Sequence, residues 1–590
     1  LPGIAGRELS LDRRKFLRYL ATAASAGIAP RVALAAEGDP YDVGRFGNVR
    51  IMHMTDTHAQ LAPVYFREPS VNLGVGAMRG KPPHIVGGAF LEYFSMVPGT
   101  SEAHAFTFLD YQEAAHRYGR MGGFAHLKTL IDRLRTEAGA DNSMLLDGGD
   151  LLQGTGQANA MQGADMIAAA NMLGVDALTG HWEFTYGQDT LRQRLKEFKG
   201  EFLAQNVFLT DDAAFNNAEA FDSNSGRVFK PATIKAVGGF RVAVIGQAFP
   251  YVPVAHPKRF TPDWTFGIRE QDLQKLVDDL RSNQQADAVV LLSHNGMDVD
   301  LKLASRVTGI DIILGGHTHD AVPRPVLVNN ASGKTFVTNA GSNGKFLAVI
   351  DLEVGKGAVK DFQHHLLPVY ANLIKADPDM QALIEKLYEP NSVGYSETLA
   401  TAEQLLYRRG NFNGPMDQVI CDALRQALDC QIALSPGFRW GTTLLAGQPI
   451  TMGDVLVETA ISYPETYAID MTGGQLKATL EDIADNLFNP DPYYQQGGDM
   501  VRVGGMDYAC TPEEAAGKRI SGMKLDDGTP IEDAKTYRVA GWASVNPQSG
   551  KPVSDVLAAY LRDQKTVKLK RLNSVALKGI ANNPGIIGGG

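Results

Sequence analysis

Residues 310–319 read Ile-Asp-Ile-Ile-Leu-Gly-Gly-His-Thr-His, "IDIILGGHTH". An apolar run bounded by Asp and Gly suits a central strand covered on both faces. The two glycines let the backbone turn, and His317 and His319 then alternate around the loop. Four other places share this layout, an apolar run followed by Asp or His. They are Asp56-Thr57-His58, Asp147-Gly148-Gly149-Asp150, Gly180-His181 and Ser293-His294-Asn295-Gly296. The runs include Val49–Met52, Ser143–Leu146, Val289–Leu292 and, without a His or Asp at its end, Val242–Ile245. Between them lie helical patterns such as "FAHLKTLIDRLRTEAG" (124–139) and "REQDLQKLVDDLRS" (269–282). This alternation predicts a layered α/β domain. In such sheets ligands gather at the carboxyl ends of the strands, so five loops far apart in sequence are expected to converge at one sheet edge. Imidazole and carboxylate suit first-row divalent metals, and one shared carboxylate can bridge two of them.

The chain has 590 residues, which calls for more than one domain. Its 44% hydrophobic and 21% charged residues are those of a globular protein with large cores. A net charge of -10 gives no reason to expect nucleic acid as partner. The three cysteines, Cys421, Cys430 and Cys510, contain no CxxC pair, so a cysteine zinc site is not expected. A Cys421–Cys430 disulfide is open, with free buried thiols the preferred reading. Residues 1–36 combine a basic head, a short apolar stretch (Tyr19–Ala29) and Ala33-Leu34-Ala35 before Ala36, the layout of a cleaved export signal. Arg13-Arg14-Lys15-Phe16-Leu17 resembles the twin-arginine signal, with Asp12 where that signal has Ser or Thr. This points to export in the folded state to the periplasm, with no membrane span. The dimetal domain is expected over 48–365, with an irregular insertion at about 61–120. A linker helix over 366–394 begins near Asp377 and is stopped by Pro390. A second α/β domain follows over 395–575, then a flexible tail, 576–590.

The ordered set D-x-H, G-D, G-x-x-E, a later His and G-H-x-H resembles the metallophosphoesterases of the 5'-nucleotidase type. The resemblance covers about residues 48–575. It implies a four-layer αββα domain followed by a 5'-nucleotidase-like C-terminal domain. It further implies that Asp56, His58 and His319 bind one metal, that Asp150 bridges, and that His294 and His317 bind the second. The sequence departs from the family at Gly180-His181-Trp182-Glu183-Phe184-Thr185, where the family has Gly-Asn-His-Glu-Phe-Asp. His181 stands for the metal-binding Asn and is expected to remain a ligand. Trp182 replaces the catalytic His, and Thr185 replaces the Asp that orients it. The His–Asp pair is absent while the ligand positions are kept, which points to a changed reaction rather than decay.

An alkoxide leaving group needs an acid or cation beside it; a persulfide, already a stable anion, does not. With "GHWEFTYG", the twin-arginine leader and the insertion after Asp-Thr-His, the chain is similar to the sulfate thiohydrolases of thiosulfate oxidation, the SoxB family. That likeness implies a two-manganese centre, with zinc or iron also permitted by the ligand types. It implies a metal-bound water as nucleophile. It also implies a carrier protein of the SoxYZ type that presents a cysteine S-thiosulfonate. Arg439, in "SPGFRWG", matches a family arginine that contacts the anionic substrate. Trp182 is expected as a cleft wall. Tyr111, Gln112 and Glu113 are expected near a channel shaped by the insertion. Trp542 is either a remnant of a base clamp or a core residue. Two other functions compete: a periplasmic 5'-nucleotidase or phosphodiesterase, and a non-catalytic metal-binding scaffold.

Overall fold

The computed structural model describes residues 39–586. The expected export signal lies outside them. Two six-stranded sheets form the N-terminal domain. In spatial order the first holds Ala358–Pro368, Phe346–Gly355, Val49–Met54, Ser143–Asp147, Ala177–Leu178 and Glu201–Phe202. The second holds Val326–Asn330, Gly333–Asn339, Ile312–Gly315, Ala288–Ser293, Phe240–Gln247 and Ala232–Val237. The alternation of side chains along a strand explains why the runs are apolar throughout. Val242, Val244, Val290, Leu292, Ile312 and Leu314 point inward and meet Ile51, Met144 and Leu146 of the first sheet. Ala243, Ile245, Val289, Leu291 and Ile313 point outward, under Leu273 and Val277 of helix Glu270–Ser282 and Leu303 of helix Met297–Arg306. Helix Phe124–Ala138 lies on the first sheet, where Arg50 donates to the Leu134 carbonyl at 3.3 Å. The expected four-layer αββα domain is therefore present.

The central pairs are parallel, and their register sets the strand ends side by side. Met54 pairs with Asp147, which pairs with Leu178; Gln247 pairs with Ser293. Helix Pro378–Tyr388 is capped by Asp377, which accepts from the Met380 amide at 2.8 Å, and it packs on helix Phe124–Ala138. Beyond it, the strands Thr466–Thr472, Thr536–Trp542, Ile432–Ser435 and Arg502–Gly504 form a sheet with helix Pro415–Leu428 against it. Cys421, Cys430 and Cys510 are free and buried.

Two expectations need correction. The tail expected from 576 is tied down as far as Ile586. Strand Val575–Leu577 runs parallel to Tyr508–Cys510, Ile586 bridges to Val71, and Asn583 is buried. The insertion, in turn, is a built element rather than an irregular stretch. Short helices Gly87–Phe94 and Ser101–Phe106 add Phe90, Leu91, Phe94 and Phe106 to the core between the sheets, and a third helix, Tyr111–Tyr118, follows. Lys345, buried, bonds Glu68 at 2.5 Å and the Phe66 and Ala105 carbonyls at 3.2 and 3.1 Å. The insertion also reaches the C-terminal domain: Arg67 N donates to Thr443 and Leu73 N to Asn411. Tyr111 is buried beside Ala115 and Leu445. Among the described residues, none of 61–120 lines the cavity over His58 and His181, but Asn72, Leu73, Pro83 and His84 line an adjoining cavity with His317, Arg439 and Gly497. Among the described residues, no helix is long and apolar enough to cross a membrane.

Candidate metal centre

The seven expected ligands come together, but from two sheets rather than from one edge. Asp56, His58, Asp150 and His181 follow strands of the first sheet; His294, His317 and His319 follow strands of the second. The two sheets share one core, and both sets of strand ends meet at one place. Two groups of four result: Asp56, His58, Asp150 and His319; and Asp150, His181, His294 and His317. Within each group the ligand atoms lie within 4.8 Å of one another, and Asp150 belongs to both. One Asp150 oxygen is 3.1 Å from His294 Nε2, 3.4 Å from His181 Nδ1 and 3.5 Å from His58 Nε2. On the other side, His58 Nε2 and His319 Nε2 are 3.0 Å apart, and His319 Nε2 is 3.2 Å from Asp56.

Backbone strain is concentrated here. Asp56, His58, Asp150, His317 and His319 have φ of 51°, 46°, 57°, 74° and 59°. Each such conformation costs a side-chain-bearing residue about 1 kcal/mol or more, and persists only where the surroundings enforce it. The loops enforce it on one another. Asp56 N donates to the Gly149 carbonyl and His58 N to the Asp150 carbonyl, both at 2.8 Å, and His317 N donates to the Asp56 carboxylate at 2.9 Å. Gly149, at φ 98°, is required by space as well: a Cβ there would stand 2.9 Å from His294 Nδ1.

Outer contacts fix the imidazoles. His58 Nδ1 faces the Gln153 carbonyl at 3.1 Å and His294 Nδ1 the Gly148 carbonyl at 2.6 Å, leaving each Nε2 turned to the cluster. Glu183, which the sequence reading left without a role, binds four amides. One oxygen accepts from His181 N at 2.7 Å and Asp150 N at 3.3 Å, the other from Leu151 N at 2.7 Å and Leu152 N at 3.2 Å.

The electrostatics describe a cluster built for cations. Burial alone raises the Asp150 carboxyl, yet His294, His181 and His58 hold it well below the usual range. Burial opposes charge on His294, but Asp150 and Asp56 outweigh it and push it up to about 10. Burial and neighbouring histidines drive His317 and His319 well below the ordinary imidazole value. Both His181 ring nitrogens, His294 Nε2 and His317 Nε2 are buried with no hydrogen-bond partner. Unpartnered ring nitrogens of this kind beside the Asp56 and Asp150 carboxylates, with the His294 proton standing where a cation would bind, fit two first-row divalent cations. His181→Asn should keep the fold and alter occupancy of the second group, read by titration of metal content. Unchanged metal content and activity would remove His181 from the ligands.

A cavity of about 270 Å³ opens over the cluster. His58, Asp150, His181, His317 and His319 form its floor, and Trp182, Phe249, Phe438, Arg439 and Trp440 its walls. Trp182 is buried and meets Trp440 edge-on, with ring centroids 5.0 Å apart. Arg439 donates to the His317 carbonyl at 3.2 Å and lies 3.5 Å from Asp499. The glycine-rich loop beside it rests on the site: a Cβ on Gly497 would stand 1.9 Å from His317 Nε2. Trp542 is a core residue, its Nε1 donating to Ser435 Oγ at 2.9 Å. Phe438 and Trp440 stack on each other at 3.9 Å and leave no slot between them.

Residues 49–321 match the calcineurin-like phosphoesterase family, and residues 393–550 match the 5'-nucleotidase C-terminal domain. The chain is 27% identical to the trifunctional nucleotide phosphoesterase protein YfkN of Bacillus subtilis over 464 residues, 70% of this chain but only 30% of that protein. It is 32% identical to the snake venom 5'-nucleotidase of Naja atra over 463 residues, 71% of this chain and 83% of that one. The solved structure of the sulfate thiohydrolase SoxB of Thermus thermophilus, in complex with glycerol, shares 34% identity and covers 91% of this chain and 98% of its own, with a TM-score of 0.84. Strands, ligand loops and relatives agree: the chain belongs to the 5'-nucleotidase-type metallophosphoesterases.

Proposed function

We propose that this hydrolase releases sulfate from a cysteine S-thiosulfonate presented by a carrier protein, and that it works in the periplasm after twin-arginine export. The observation that carries this reading is that Trp182, whose indole does not titrate, stands in the cavity wall at the sequence position where the family has its catalytic His. The nearest histidine outside the ligand set, His256, lies behind Trp182 at 4.5 Å between ring centroids and does not line the cavity. Burial pushes it down to about 3, so it is neutral. A leaving group that needs no proton fits such a wall. The sulfate thiohydrolase likeness supports the same reading.

Two divalent cations, manganese by the likeness, would supply an ionised water and offset the charge on the sulfonate oxygens. The chain's own residues do the rest. Asp150 holds the two ligand groups in register. Arg439 offers a planar guanidinium to the sulfonate. Trp182 and Phe249 keep bulk water from the sulfane sulfur. In the net reaction, water breaks the bond between the sulfone and sulfane sulfurs. Sulfate and protons leave, and the carrier keeps a persulfide.

The second reading is a 5'-nucleotidase or phosphodiesterase, favoured by the names of the other relatives. The manganese-loaded protein decides between them when given a peptide bearing the cysteine S-thiosulfonate and, separately, AMP. Sulfate without phosphate is the expected result. Phosphate without sulfate would overturn it. Metal binding with neither product would revive the scaffold reading.

A further inference from the structure

The two replaced positions both contact the C-terminal domain, and one segment of it, Ala460–Tyr463, takes part at each. Thr185 Oγ1 and Ser462 Oγ are 2.6 Å apart, and Ser462 Oγ also donates to the Thr185 carbonyl at 3.2 Å. The neighbours of Ser462 are bound to the N-terminal domain as well. The Ala460 carbonyl accepts from Gln153 Nε2, and the Ile461 carbonyl from Asn159 at 3.5 Å. The Tyr463 hydroxyl donates to the Ala255 carbonyl at 2.5 Å. Four consecutive residues thus hold the other domain, and Ala460, Ile461 and Tyr463 are buried. Trp182 belongs to the core of the C-terminal domain, packed with Trp440, Ile461 and Tyr463, although it sits on a loop of the N-terminal domain. The link runs on to the metal ligands, since the Gln153 carbonyl is the partner of His58 Nδ1.

This segment also borders the site. Ile461 and Tyr463 line the cavity together with Val254 and Ala255, and the bond from Tyr463 to Ala255 closes the two domains on each other there. We infer that Thr185, Trp182 and Ala460–Tyr463 form a staple that fixes the two domains at this separation, and that the staple determines specificity. A slim, extended arm can thread into a cavity of about 270 Å³, whereas a substrate that needs the domains to part cannot enter. The inference rests on the reading of an arm-borne substrate for its biological sense, but its geometry stands apart from it.

The test joins the staple covalently. In a Thr185→Cys/Ser462→Cys variant the two sulfurs fall where the hydroxyls now touch, and the native thiols are buried. The oxidised, manganese-loaded variant should hydrolyse the thiosulfonate peptide within about twofold of the unlinked Thr185→Cys control. Loss of turnover on cross-linking would mean that the domains must part and would overturn the staple. Thr185→Val/Ser462→Ala loosens it instead. Hydrogen exchange across 460–463 should quicken about tenfold, the opening expected from roughly one lost hydrogen bond. The loosened form should also begin to hydrolyse bis(p-nitrophenyl) phosphate, a bulky diester that the native form should exclude. Unchanged exchange and unchanged exclusion would overturn the inference. Absence of sulfate from every form, the native one included, would instead overturn the functional reading, and exchange and diester exclusion would still judge the staple.

Discussion

Asp150→Asn should fold, bind one cation in place of two, and lose more than about a thousandfold in hydrolysis, beyond the 10–100-fold typical of changes outside the ligand shell. Asparagine keeps the shape. Its carbonyl can still accept from Trp182 N, a bond of 2.8 Å to Asp150. What it removes is the negative oxygen placed among His294, His181 and His58, in the one residue shared by both ligand groups. Without that charge, two cations in neighbouring sites repel with nothing between them. Metal analysis after gel filtration, with circular dichroism to confirm the fold, reads the result. Two bound cations and full turnover in the variant would show that Asp150 does not bridge.

The ligands were legible because their chemistry is carried by residue type at strand ends. His317 and His319 follow Gly-Gly, and His58 follows Asp-Thr. A central parallel strand announces itself by being apolar on both faces, so the loop after it can be located without a structure. That the loops divide between two facing sheets was not legible, because nothing in a single strand records which sheet it joins. Glu183 was visible in the sequence and still had no role. It acts on backbone amides of a loop 31–33 residues upstream, and amides leave no trace in residue type. Ser462 was invisible for the same reason: its partner, Thr185, lies 277 residues away.

The insertion failed for a different reason. Helices of six to eight residues, such as Ser101–Phe106 and Gly87–Phe94, make too few turns to show a hydrophobic stripe. The contact that seats the segment, Lys345 with Glu68, is a buried ion pair, which a sequence presents as two ordinary surface charges. The tail was misread by its glycines. They mark the extreme end, while Ile586 just before them is paired with Val71.

Glu183→Ala should cost at least about a hundredfold in metal affinity although Glu183 binds no metal, because the residue is what shapes the ligand loops. Four amide donors lose their acceptor in a place closed to water, where each unpaired group costs about 1–3 kcal/mol. Two of those amides belong to His181 and Asp150, and Asp150 is held at a φ of 57° that it would not choose unaided. The loop then relaxes and both ligands move. Glu183→Gln keeps one acceptor oxygen and so two of the four bonds, and should fall between, with affinity down about tenfold. A graded series of this kind separates support of the loop from filling of space, since glutamine fills the space fully. Metal content in the alanine variant equal to that of the native protein would mean that the Gly149 turn and the bonds from Asp56 N and His58 N hold the loop by themselves.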